Sequence, residues 1–204
     1  PATYDKPIEV DASRWMDQLA DEVEFKALSI PGTGGSFSYN YTSSNPGWYQ
    51  QQTITLDEQW KAGIRAFEIV SDRPDDVSTS LGTEDVKCNK VSMGVTVLEV
   101  LQNLLAKTAA TPTGETGPTE CAVLILTYQP EGNSPPRNGA AYATSLKAMY
   151  DGLTASQQAQ IIQYTPDLTL ADAKGKVMIF CRINQKDEKD NGDTSEKRAF
   201  QSAT

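Results

Sequence analysis

The stretch FKALSIPGTGGS, Phe25 to Ser36, decides how this chain is read. A short apolar run holding Leu28 and Ile30 breaks at Pro31-Gly32 into a turn of glycines and hydroxyls. Proline cannot donate to a strand ladder, so the spacing predicts a buried first strand that ends at Pro31 and opens into a loop. What that loop displays should set the function.

Working outward, apolar strand-like runs alternate with helix signals. Asp11 to Glu22 carries Trp15, Met16, Leu19 and Val23 at helical spacing on or just after it, behind Asp11 and Ser13 as caps. Thr55-Leu56-Asp57-Glu58 and Thr96-Val97-Leu98-Glu99 are capping boxes that start helices, the first stopping at Gly63 and the second running to about Ala109. Ile64–Ser71, Ala122–Tyr128 and Lys176–Ile183 read as further strands, Asp72–Gly94 as turn-rich, and Ala140–Leu153 and Ala155–Gln163 as helices. Near-continuous apolar strands alternating with helices predict a parallel α/β sheet or barrel.

Composition narrows the partners. The 204 residues are 38% hydrophobic, enough for one domain with a real core. A formal charge of −9, from 27 acidic against 18 basic residues, opposes nucleic-acid binding through bulk electrostatics. No apolar run approaches the roughly 20 residues of a membrane helix, and no signal peptide is evident, so stable membrane insertion is not expected. The chain has no histidine, and Cys88, Cys121 and Cys181 show no CxxC spacing. Neither a zinc site nor any cofactor is expected, and Cys121 and Cys181 read as inert core thiols.

The order Trp15-Met16, Leu28-Ser29-Ile30-Pro31-Gly32-Thr33, Ser36, Gln59 and Gly63-Ile64-Arg65-Ala66-Phe67-Glu68-Ile69 resembles the X region of phosphatidylinositol-specific phospholipase C (PI-PLC). Leu170 to Lys176, followed by an apolar strand and Arg182, is similar to a downstream segment of the bacterial enzymes. The resemblance implies a TIM-type (β/α) barrel, phosphodiester chemistry, and a secreted or cell-surface protein. It also implies a histidine base directly after Pro-Gly-Thr, where Gly34 stands here. A second histidine, the general acid, belongs in a His-Gly pair whose nearest counterpart is Leu81-Gly82. The phosphate-binding arginine of bacterial members falls on Val70, and the residue after the base position is Gly35. Glu68 and Arg182 alone keep suitable chemistry.

Each general acid or base is worth roughly 100 to 10,000-fold, so losing both together with the cation implies a pseudoenzyme. Ligand-binding candidates are Thr33, Ser36, Glu68 and Arg182, joined by Tyr41 and Trp48 from a long aromatic loop able to stack a polyol, glycan or phosphorylated ligand. Three alternatives stay open: a Glu68–Arg182 ion pair inside the barrel, aromatics that pack their own loop, and glycines that serve only a tight turn. An active hydrolase using replacement groups, Glu68 or Asp72 among them, is the competing function. A full barrel needs eight strands and about 250 residues. Residues 1–183 are therefore expected to form an incomplete barrel, 184–204 a polar tail or connector, and a further segment or second chain to complete it.

Overall fold

The structure, a computed structural model, describes residues 10–43, 46–71, 80–128 and 139–182. The expected polar tail at 184–204 and Asp72 lie outside the described residues. Among the described residues six strands form one sheet: β1 Gly32–Thr33, β2 Ala66–Ser71, β3 Asp85–Cys88, β4 Val91–Thr96, β5 Ala122–Tyr128 and β6 Val177–Arg182. Their order is β4-β3-β2-β5-β6, with β1 also on β2. β1, β2, β5 and β6 run parallel, as their apolar character anticipates, and β3–β4 is an antiparallel hairpin. The sheet is open, with β4 and β6 at its ends.

Register assigns the two faces. Phe67, Ile69, Leu124, Leu126, Val177 and Ile179 are buried together with α3 (Val97–Ala109) and α4 (Gly139–Asp151) in the main core. Residues of opposite parity form three rows across β2, β5 and β6: Ala66–Val123–Met178, Glu68–Ile125–Phe180 and Val70–Thr127–Arg182. The first row packs on a smaller cluster of Met16, Phe25, Leu168 and Leu170, whereas the third ends in exposed Arg182. In a (β/α) barrel this second face is the interior, and its upper rows stand at the carboxyl ends of the strands.

The two capping boxes form as read, opening α2 (Leu56–Lys61) and α3, and Gly63 takes φ +92° behind α2. Threonine boxes also start two short helices, α5 (Ala155–Ala159) at Thr154/Gln157 and α6 (Leu170–Ala173) at Thr169/Asp172. Among the described residues the remaining α-helix is a single turn, α1 (Pro46–Tyr49), inside the aromatic loop.

Several expectations are corrected. The first strand does not end at Pro31; pairing begins there, because the Pro31 carbonyl accepts from the Arg65 and Ala66 amides at 2.9 and 3.0 Å. Phe25–Ala27 is a 3-10 turn, and Phe25 is buried in the basal cluster rather than in a ladder. The helix expected over 11–22 is a 3-10 helix, Ala12–Gln18, kinked where Arg14 leaves helical geometry (φ −140°, ψ 36°). The turn-rich 72–94 segment contains the β3–β4 hairpin, closed by Asn89 (φ 45°) and Lys90 (φ 69°), the twist a two-residue hairpin turn favours. The helix expected to reach Gln163 stops at Ala159, because Ile162 donates to the Val177 carbonyl at the edge of β6 (3.1 Å).

Candidate functional site

The site is built where the chain leaves β1. Gly32 and Thr33 pair with Ala66 and Phe67, and Val70 and Ser71 pair with Lys87 and Val86 of β3. β1 and β3 therefore share one edge of β2, and the turn bulges out between them, with the Ser36 amide donating to the Glu68 carbonyl at 2.9 Å. Gly35 holds φ +52°, a left-handed conformation that favours glycine.

Hydroxyls and amides brace this turn. Thr33 Oγ1 lies 2.8 Å from Ser36 Oγ and donates to Gln59 Oε1 at 2.7 Å, while Gln59 Nε2 donates to the Ser36 and Ile54 carbonyls at 2.8 and 2.9 Å. Ser36 is fully buried, so the hydroxyls expected to meet a ligand are engaged in holding the turn. Ser38 Oγ accepts from the Gln51 and Gln52 amides, each at 2.9 Å, and Gln52 Nε2 donates to the Gly34 carbonyl at 3.0 Å. These bonds strap the aromatic loop across the turn and aim Gln51 at it.

Gly34 is closely hemmed. A Cβ there would stand 3.0 Å from Gln51 Oε1 and 3.2 Å from Glu68 Oε2. The other Glu68 oxygen accepts from Thr127 Oγ1 at 2.9 Å. The structure thus brings Gly34, Glu68, Gln51 and Thr127 together on the inner face. Glu68 pairs with Thr127 and not with Arg182, which stands exposed at the end of β6. Val70, half-buried, lies in the row above Glu68.

Leu81 is placed elsewhere. It is fully buried in the helix-side core, and a Cβ on adjacent Gly82 would meet Met149 and Leu98 of α4 and α3 at 3.0 and 3.1 Å. The segment that does border the turn is the β3–β4 hairpin: Gly35, Ser36, Ser38, Val70, Lys87 and Cys88 line one shallow recess. Val86, Cys88, Val91, Met93 and Val95 alternate in the sequence, and that alternation around Asn89-Lys90 was the available signal for the hairpin.

The aromatic loop splits. Tyr41 is buried at 7% exposure in the main core, and its ring packs 5.9 Å from that of Tyr49. Phe37 is buried too, with Tyr39 at 5.8 Å. Trp48 on α1 is 86% exposed. Packing thus accounts for Tyr41, while Trp48 and, at 39% exposure, Tyr49 are left facing solvent.

Arg65 serves the opposite end of β2. Its Nε donates to Glu120 Oε2 at 2.8 Å, Nη1 to the Trp60 and Ile64 carbonyls at 2.7 and 2.8 Å, and Nη2 to the Ser13 carbonyl at 2.6 Å. The guanidinium lies 3.8 Å over the Trp60 ring. Burial pulls Arg65 below its ordinary pKa and pushes the Glu120 carboxyl above its own, each opposed by the partner's charge. This ion pair ties the first helix, α2 and β2 into one base. Burial raises the Cys121 and Cys181 thiols to about 12, though only Cys121 is fully buried and Cys181 is half-buried against the main core, and Cys88 is also raised by burial.

A sheet with a parallel centre, helices on one face and polar groups gathered at the carboxyl ends of its strands is part of a (β/α) barrel. Solved structures with this fold include a phosphatidylinositol-specific phospholipase C from Staphylococcus aureus (TM-score 0.63, 18% identity, 85% of this chain and 53% of that one). The phosphatidylinositol-specific phospholipase C from Listeria monocytogenes matches similarly (TM-score 0.59, 20% identity, 87% and 59%). The chain spans little more than half the length of these structures. Over 72 residues it is 42% identical to the 1-phosphatidylinositol phosphodiesterase of Listeria monocytogenes, a match covering 32% of this chain and 22% of that protein. No protein-family model matches the chain. The fold is that of part of the barrel of these PI-PLC structures, and over 72 residues the sequence is similar to a PI-PLC-like phosphodiesterase.

Proposed function

We propose that this domain is a non-hydrolytic member of the PI-PLC-like phosphodiesterase family that binds a small polyol, glycan or phosphorylated ligand at the barrel mouth. The observation that carries the reading is the setting of Gly34. The residue that should bear the base has no side chain, and the space beside it holds the oxygens of Gln51 and Glu68. Hydroxyl groups of a polyol can donate to both oxygens, and exposed Trp48 offers a ring face nearby in the chain. Glu68 already accepts from Thr127, which suits a fixed acceptor for ligand hydroxyls better than a mobile proton shuttle.

Secretion or cell-surface display belongs to the same proposal and rests on family likeness. So does completion of the barrel by a further segment or a second chain, which the half-buried inner-face residues Val70, Ile125 and Phe180 call for. Among the described residues, no helix is long and apolar enough to cross a membrane.

The test is titration of the protein with uncharged myo-inositol, followed by amide NMR. Shifts centred on Gly34, Gln51 and Glu68, weakened about threefold or more by Glu68→Gln, are expected from loss of a charged acceptor. The absence of any shift at the mouth refutes the proposal. Hydrolysis of a phosphodiester that is abolished by Glu68→Gln refutes it too, and favours a working hydrolase with Glu68 as its base.

A further inference from the structure

We propose, resting on the secretion put forward above and not on any ligand at the mouth, that Asn40 is an N-glycosylation site and that the chain leaves a eukaryotic secretory route with a single glycan there. Of the chain's eight asparagines, Asn40 alone is followed two positions on by a hydroxyl residue, in Asn40-Tyr41-Thr42, with no proline between. That triplet is the acceptor pattern of secretory N-glycosylation.

So short a pattern also arises by chance, and the fold decides whether it can carry a glycan. Asn40 and Thr42 are both exposed, whereas Tyr41 between them is 7% exposed. The Tyr41 ring sits in the main core, 5.9 Å from that of Tyr49. Asn40 closes the 3-10 turn Ser38–Asn40, and Tyr41 returns to extended backbone (φ −69°, ψ 118°). The middle residue is therefore the anchor, and the two residues that define an acceptor stay at the surface on either side of it. Burial of Asn40 or Thr42 in place of Tyr41 would have made a glycan incompatible with the folded chain.

The Asn40 amide has one hydrogen to give up. Its Nδ2 donates to the Met93 carbonyl of β4 at 3.0 Å. Met93 lies between the pairs Lys87–Ser92 and Asp85–Thr96, where the β3–β4 ladder is irregular, and the amide supplies its carbonyl with a donor. A side-chain amide nitrogen carries two hydrogens, and this bond uses one. Transfer from a lipid-linked oligosaccharide diphosphate forms a bond between Nδ2 and the anomeric carbon and breaks that carbon's bond to the phosphate oxygen. One Nδ2 proton and the lipid diphosphate leave. The product is a secondary amide whose remaining N–H serves Met93 once the chain folds. The glycan is then rooted beside β4, the strand at one end of the sheet, where a solvated oligosaccharide blunts pairing with another chain.

The experiment maps peptides of the natural protein, taken from its source cells and from their medium, before and after an amidase that removes N-linked glycans. Protein in the medium should show the Asn40 peptide shifted by one glycan, and deamidated at position 40 after treatment. Protein in the medium with Asn40 bare overturns the glycan and leaves secretion standing. Protein confined to the cell with Asn40 bare overturns both. A second arm makes variants behind a secretion leader in a eukaryotic host. Thr42→Ala, which leaves the Asn40–Met93 bond in place, and Asn40→Gln should each lose the whole mass shift, and Thr42→Ser should keep it. Transfer precedes folding, so the shift is read in whole-cell material even for a variant that misfolds. A shift that survives Thr42→Ala overturns the assignment.

Discussion

Truncating Glu120 to alanine should be the most damaging single change in this domain, although it lies at the opposite end of the sheet from the candidate site. The side chains of Arg65 and Glu120 are 0% and 7% exposed. Removing the carboxylate strands a buried guanidinium, a loss of about 3 to 5 kcal/mol. Three carbonyls and the Trp60 ring still surround Arg65, which favours the lower end of that range. The Met16 and Asp17 amides, which donate to Glu120 at 3.1 and 3.3 Å, lose their acceptor as well. Each orphaned amide costs about 1 kcal/mol, so the total is about 5 kcal/mol. Against a stability of about 5 to 15 kcal/mol this is severe.

With an m-value of about 2 kcal/mol/M, the urea midpoint should fall by about 2.5 M with m unchanged. The double variant Arg65→Met/Glu120→Leu should recover more than half the loss, since no buried charge then remains. Glu120 also carries a pH signature. Its folded pKa lies above the ordinary 4.5, so the proton-linked part of its contribution is fully present below that value and is lost as pH rises through the folded pKa, leaving the ion pair with Arg65. Glu120→Gln should remove that slope. A midpoint shift under about 0.5 M for Glu120→Ala would refute the reasoning.

Other outcomes follow from the same contacts. Asp57, Glu58 and Asp172 are held below their ordinary values by bonds from Lys107, Thr55 and Thr169 respectively. Their stabilisation is present above the ordinary range of 3.8 to 4.5 and is lost as pH falls through the folded values, so thermal melts should show an acid limb there. Thr96→Ala removes the cap that accepts from the Glu99 amide and should cost about 1 kcal/mol in urea unfolding, with Thr96→Ser close to wild type. Gly34→His meets only the ends of two side chains, so the variant should fold, yet restore no measurable phosphodiesterase activity, because Val70 supplies no cation and no acid histidine exists. Full activity in that variant would show that a single missing base had silenced the site.

Much of the frame was legible in the sequence because it is set locally. The apolar runs of β2, β5 and β6 and the capping boxes at Thr55 and Thr96 each carry their signal within a few residues. Long-range pairing was not legible. Arg65 sits in a stretch read for family likeness, and its partner Glu120 lies 55 positions away, so its structural role emerged only with the fold. Tyr41 was grouped with Trp48 by composition, yet one is in the core and the other in solvent, a difference set by how the loop folds back on Ser38. Register hid the place of β3 beside Val70, because it depends on a hairpin whose turn, Asn89-Lys90, lacks the usual glycine.

Turnover of phosphatidylinositol by the purified protein, with and without calcium, tests the central claim most directly. The account expects product formation indistinguishable from that of a Glu68→Gln control, even at high protein concentration. Sustained calcium-dependent or calcium-independent cleavage that vanishes in the control would contradict it.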